Sequence, residues 1–161
     1  MKILGKLNKK CYVGCSGGKD SMTLLTFLLN GRREVEVLHV NHNTEHGREA
    51  ERFVRSFCFS HSIPFHTVQY EGVKQTEQAW RDFRYSFFSK FKDYPIYLVH
   101  TLQDNIETYI MSDMKGTAKF IPYQRDNIIR PMLLTFNSEI DRYVEKNKVV
   151  WIEDPSNSTS N

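Results

Sequence analysis

Residues Lys10 to Cys15 form a short, mostly apolar run that opens directly into Ser16-Gly17-Gly18-Lys19-Asp20-Ser21. Without a spacer, a segment follows that is apolar on almost every side, with Met22, Leu24, Leu25, Phe27, Leu28 and Leu29. A strand, a glycine turn and a helix in immediate succession make a βα unit, whose helix has to pack back onto the sheet that the strand belongs to. A helix apolar around most of its circumference is stable only when buried, so Ser21 to Asn30 is expected against the sheet, ending at Asn30-Gly31.

The same rhythm repeats downstream. Strands are predicted at residues 10–15, 35–41, 64–69, 96–100 and 127–130, and helices at 21–30, 45–61, 76–92, 103–115 and 137–147. Thr76-Glu77 and Asn137-Ser138-Glu139 read as helix starts. The implied fold is α/β: a Rossmann-like open parallel sheet of about five strands with helices on both faces. No repeat, low-complexity block or Pro/Gly-rich linker divides the 161 residues, so a single domain over 1–161 is expected, with a polar tail from about residue 154. Three cysteines, Cys11, Cys15 and Cys58, form no CxxC pair and suit a reducing cytoplasm. Neither a leader pattern nor a membrane-length apolar run is readable, which predicts a cytoplasmic protein with no membrane partner. The net charge of +3 permits a phosphate-bearing partner without demanding one.

The loop carries the chemistry. Its place at the carboxyl end of a strand and the amino end of a helix is where anions bind, because free backbone N–H groups and the helix dipole both favour negative charge. Gly17 and Gly18 let the backbone approach phosphate oxygens, Ser16 and Ser21 offer hydroxyl donors, and Lys19 offers a cation. Asp20 would repel a bare phosphate, so its presence implies Mg²⁺ between the two. Neither the Walker A spacing nor the three-glycine dinucleotide fingerprint is present, which sets aside kinase and dehydrogenase readings.

Ser16 to Ser21 resembles the signature of the PP-loop ATP pyrophosphatases, which cleave ATP between the α and β phosphates to give an adenylated intermediate. Later segments, in order, are similar to the tRNA(Ile)-lysidine synthetases within that superfamily. They are His39-Val40-Asn41-His42; Glu77 to Tyr85, with Trp80 in place of a small residue; His100 to Thr108; Ile129-Arg130-Pro131-Met132-Leu133; and Trp151-Ile152-Glu153-Asp154-Pro155-Ser156-Asn157. The resemblance implies an enzyme that uses ATP and Mg²⁺ to adenylate O2 of the wobble cytidine of an isoleucine tRNA with a CAU anticodon. The ε-amine of free lysine then displaces AMP. Two departures stand out: Gln103 occupies a position where relatives carry a second aspartate, and the chain stops where such enzymes continue into tRNA-contacting regions. A homodimer is one way to restore such a surface.

On that resemblance Asp20 and Asp104 are expected to share the metal, with Glu107 one turn on orienting substrate or metal. His42 is expected beside the nucleotide, and His100 comparably placed. Arg81 and Arg84, three apart on one helix, present fixed cations for phosphate or substrate, and Arg130 is expected to reach a polyphosphate or RNA backbone. Two alternatives remain open: a PP-loop tRNA thiolase, and a non-catalytic ATP- or RNA-binding relative.

Overall fold

The computed structural model describes residues 1–155. Eleven elements alternate along them: β1 (Lys10–Gly14), α1 (Lys19–Asn30), β2 (Glu34–Asn41), α2 (Glu45–Ser60), β3 (Phe65–Gln69), α3 (Glu77–Phe88), β4 (Ile96–Tyr97), α4 (Leu102–Met114), β5 (Gln124–Arg125), β6 (Ile128–Ile129) and α5 (Asn137–Asn147). The strands join one sheet in the order β3-β2-β1-β4-β6-β5. All neighbours are parallel except the edge hairpin β5–β6.

The period-two alternation of β1 sorts its side chains between two cores. Cys11, Val13 and Cys15 face one way and pack with Leu24, Leu25, Leu28, Val54, Cys58, Ile140 and Val144, which places α1, α2 and α5 on that face. Tyr12 faces the other way, with Phe87, Phe88, Ile96, Leu98 and Ile128, which places α3 on the opposite face. Helices therefore cover both faces, as the sequence implied. Met22, Leu24, Leu25 and Leu28 of α1 are fully buried, as an all-round apolar helix requires.

Hydroxyl caps start three helices. Thr44 Oγ1 accepts from Gly47 N, Thr76 Oγ1 from Ala79 N, and Thr101 Oγ1 from Asp104 N. The Asp104 carboxylate answers by accepting from Thr101 N at 2.6 Å, completing a capping box. At α5 only half of that arrangement exists, Glu139 Oε2 accepting from Phe136 N at 2.8 Å.

The sheet has six strands where about five were expected. The additional one, Gln124–Arg125, is two exposed polar residues at the sheet edge and carries no hydrophobic alternation to reveal it. Its turn into β6 puts Asp126 in the left-handed region, at φ 54°. Helix α3 ends at Phe88, short of the expected Lys92, and the β4 ladder stops at Tyr97, short of His100. Leu98 N still donates to the Ile129 carbonyl of β6 at 3.0 Å, and beyond it the chain departs from the sheet, so that Leu98, Val99 and His100 line a cavity.

Candidate active site

The chain leaves β1 toward β2 and β3 on one side, then returns to place β4, β6 and β5 on the other. This reversal opens a crevice at the carboxyl ends of β1 and β4, the general ligand position in open α/β sheets. A cavity of about 380 Å³ occupies it. Its walls are apolar at Leu38, Val40, Phe88, Leu98 and Val99, and polar at Ser16, Asp20, Ser21, His42, Arg84, His100 and Asp104.

The loop entering α1 is held from several sides. Gly17 adopts φ 89°, open to glycine and strained for other residues. The Ser21 hydroxyl accepts from Ser16 N at 3.2 Å and lies 3.1 Å from the Ser16 hydroxyl, which in turn accepts from Gly18 N at 3.3 Å. Gly18 is the N-cap of α1 and supplies no side-chain acceptor, so the first-turn amides face whatever the loop binds. From β2, His39 places Nδ1 2.8 Å from the Cys15 carbonyl, anchoring the loop's base. Behind it, Ile152 N donates to the Gly17 carbonyl at 2.9 Å. Residues Trp151 to Asp154 thereby wall a second cleft, of about 350 Å³, with Ser16, Gly18, Lys19, Asp20 and Ser21. Ser156 and Asn157 of the terminal motif lie outside the described residues.

Asp20 and Asp104 both line the 380 Å³ cavity. Burial raises the Asp20 carboxyl above its usual range; Lys19 opposes that, while Asp104 and Asp141 add to it. One oxygen of Asp104, Oδ2, is committed to the Thr101 backbone and hydroxyl, which leaves Oδ1 for a ligand. Among the described residues no group of three or more His, Cys, Asp and Glu side chains is gathered to hold a metal. Two carboxylates beside a phosphate seat are nevertheless what Mg²⁺ uses, since it keeps waters and borrows substrate oxygens for its remaining positions. The Lys19 ammonium donates to Asp141 Oδ1 at 2.6 Å, a partly exposed pair that ties the loop to α5.

His42 packs on Trp80, ring centroids 4.9 Å apart, and its buried Nδ1 has no hydrogen-bond partner; neither has Trp80 Nε1. Burial lowers the His42 pKa, helped by Arg84. His100 is pushed down to about 4, by burial first and then by Arg130, with Arg84 and Arg81 adding and Asp104 opposing. It is therefore neutral at physiological pH.

Arg84, Tyr85, His100 and Asp104 also line an adjoining chamber of about 670 Å³, together with Arg81, Glu107, Lys119, Phe120, Arg125 and Arg130. Three guanidinium carbons, of Arg81, Arg84 and Arg125, sit 5.6, 6.0 and 5.7 Å from the Tyr85 ring centre. Arg130, only 3% exposed, donates to the Tyr85 hydroxyl and to the Pro122 carbonyl, both at 2.9 Å, while its Nε has no partner. Arg130, expected at a polyphosphate or RNA backbone, lines this chamber with its guanidinium bonded to two protein acceptors. Glu107 accepts from Gln103, and Gln103 accepts from Asn137 of α5, so Gln103 spans two helices and does not line the 380 Å³ cavity.

Sequence reasoning missed Tyr85 as the hub of four guanidiniums. The Arg81/Arg84/Tyr85 spacing signalled part of it, but Arg125 and Arg130 reach it only through the β5–β6 hairpin. No described helix is long and apolar enough to cross a membrane.

Several known proteins resemble the chain. It is 33% identical to a tRNA(Ile)-lysidine synthase of Petrotoga mobilis, over 97% of this chain and 56% of the relative. It is 36% identical to one of Streptococcus thermophilus, over 68% of this chain and 28% of the relative. Against the bifunctional protein TilS/HprT of Listeria monocytogenes it is 32% identical, over 93% of this chain and 27% of the relative. The chain thus spans from about a quarter to just over half the length of these relatives. Among solved structures, an NH3-dependent NAD synthetase of Campylobacter jejuni shares the fold, with a TM-score of 0.59 at 14% identity over 90% of this chain and 66% of the other. With residues 2–161 matching the PP-loop domain, and the loop, switch-point crevice and mostly parallel sheet arranged as described, the chain belongs to the PP-loop family of ATP-utilising domains.

Proposed function

We propose that this chain is the ATP-dependent catalytic part of a tRNA(Ile)-lysidine synthase-type enzyme, adenylating a cytidine of an isoleucine tRNA and joining lysine to it. The observation that carries the reading is the pair of adjoining cavities with a common wall of Arg84, Tyr85, His100 and Asp104. One has an apolar floor and a phosphate loop, suiting a nucleotide. The other presents five cationic side chains against two carboxylates, suiting a polyanion.

In this scheme ATP lies in the 380 Å³ cavity with its β and γ phosphates on the loop. The Gly17 and Gly18 amides, the Ser16 and Ser21 hydroxyls and the Lys19 ammonium hold the leaving pyrophosphate. Asp20 and Oδ1 of Asp104 would hold a Mg²⁺ ion, which supplies charge neutralisation at the phosphates. The cytidine enters from the cationic chamber, so its carbonyl oxygen meets the α phosphorus across the shared wall, and Arg81 and Arg84 offset the charge that gathers there. No protein nucleophile is needed. In the second step an amine must arrive unprotonated; a chamber rich in guanidinium groups disfavours an ammonium ion and so lowers the pKa of the incoming amine. Carbon–nitrogen bond formation expels AMP and a proton.

The cysteines argue against thiolation. Burial pushes the Cys11 thiol up to about 11 and Cys58 to about 12, leaving both as poor thiolates.

Incubating protein, ATP, Mg²⁺, lysine and isoleucine tRNA tests the reading. A mass gain of one lysine on a cytidine, with pyrophosphate release requiring tRNA, is expected. Pyrophosphate release that needs a sulfur donor and ignores lysine, or ATP binding with no turnover over a panel of tRNAs, would sink it. Light scattering of the same sample reports whether a homodimer forms.

A further inference from the structure

Helix α4 and the segment after it hold apolar surface outward. Tyr109 is 37% exposed and Phe120 60%, and their rings stack face to face, centroids 4.5 Å apart and 15° from parallel. Phe120 is held in place. Lys119 N, just before it, donates to Ser112 Oγ at 2.9 Å, and Ile121 N, just after it, donates to Asn105 Oδ1 at 2.8 Å. Both acceptors are α4 side chains, so one face of a fixed ring is covered by Tyr109 while the ring itself lines the 670 Å³ chamber. The stack on Tyr109 covers one side of the Phe120 ring and leaves most of the side chain open to a ligand in the chamber.

We propose that the Tyr109–Phe120 pair is a stacking platform for an unpaired nucleobase of single-stranded RNA, next to the nucleotide that enters the chamber. This rests on the reading of the chain as an RNA-modifying enzyme. Aromatic rings flanked by cations are how proteins hold unstacked bases, the ring taking the base face while lysine and arginine follow the phosphates. Lys119, Arg125 and Arg81 supply the cations here. A second copy of the chain fits this surface less well, because a self-facing contact would set two such cationic chambers against each other.

The test uses the full chain and an RNA stem-loop carrying 2-aminopurine at each loop position in turn. One position is expected to be quenched on binding. Phe120→Ala should remove that quenching and weaken binding roughly tenfold, with an unchanged melting temperature and salt slope; Phe120→Trp should restore both. Lys119→Ala should instead lower the salt slope by about one. RNA binding and quenching that survive Phe120→Ala overturn the platform while leaving the RNA reading in place. A Phe120→Ala chain that changes from dimer to monomer with unaltered RNA affinity assigns the surface to a second copy. Wild-type protein that binds ATP and no stem-loop removes the platform and the RNA reading together.

Discussion

Replacing Gly17 with alanine separates the demands of the loop's backbone from those of its side chains. Gly17 sits at φ 89°, and a Cβ there would meet Ile152 Cγ2 at 3.1 Å and Val54 Cγ2 at 3.2 Å. The left-handed backbone costs a non-glycine residue roughly 1–2 kcal/mol. The two contacts add to this: Val54 is fully buried in α2 and cannot retreat, whereas Ile152 lies on the terminal segment and can. A total of about 1–3 kcal/mol, or roughly 3–10 °C in melting temperature for a chain of this size, is expected. Because Ile152 gives way first, the Gly17–Ile152 backbone bond should weaken and the cleft beside Lys19 should open, raising the Kd for ATP. Gly18→Ala is the control. Gly18 has no positive φ, and its Cβ would meet only Ser16 Oγ at 3.5 Å, so the loss of an N-cap glycine and the gain from a stiffer unfolded chain nearly cancel. Thermal melts and ATP titrations of both variants decide the matter. Equal melting temperatures and equal ATP affinities for the two would refute the claim that the left-handed turn at Gly17 shapes the loop.

Acid should destabilise the fold through His100. Its folded pKa of about 4 lies below the ordinary 6.5, so between those values the unfolded chain binds more protons. Stability is therefore complete above about pH 6.5, falls as pH drops toward 4, and loses at most about 3 kcal/mol from this group; urea midpoints should show a flatter profile in His100→Asn. Asp20→Asn removes a carboxylate that burial and Asp104 disfavour, so pyrophosphate release should vanish while the melting temperature holds or rises; near-normal turnover would refute the metal assignment. Asp141→Asn breaks a partly exposed pair with Lys19 and should change stability by no more than about 1 kcal/mol, leaving Lys19 free for phosphate and ATP affinity intact. Tyr85→Phe deprives Arg130 of one acceptor and should cost about 1–2 kcal/mol in a urea melt, while weakening RNA binding more than ATP binding.

Local pattern was enough wherever one residue's neighbours in sequence are also its neighbours in space. The all-round apolar run Met22 to Leu29 could only be a buried helix, and the turn before it could only lie at a strand's carboxyl end, so the crossover fold and the position of the glycine loop in it were legible from the sequence. Asp20 and Asp104, predicted as partners across 84 positions of the chain (104 − 20), do line one cavity, because both follow strands adjacent in the sheet. The rest depended on contacts between distant segments, which leave no period in the chain. Arg125 and Arg130 join Arg81 and Arg84 at Tyr85 only because a two-residue polar edge strand, invisible to hydrophobic patterning, folds the β5–β6 hairpin beside α3. Ile152 closes on Gly17 from the far end of the described residues, and Ser112 and Asn105 hold Phe120 in place through hydrogen bonds that the apolar pattern of α4 does not encode. Sequence thus determined the glycine loop between β1 and α1 and its place at the crevice; tertiary packing decided the second chamber and its cationic wall, because an electrostatic cluster is a sum over space and not along the chain.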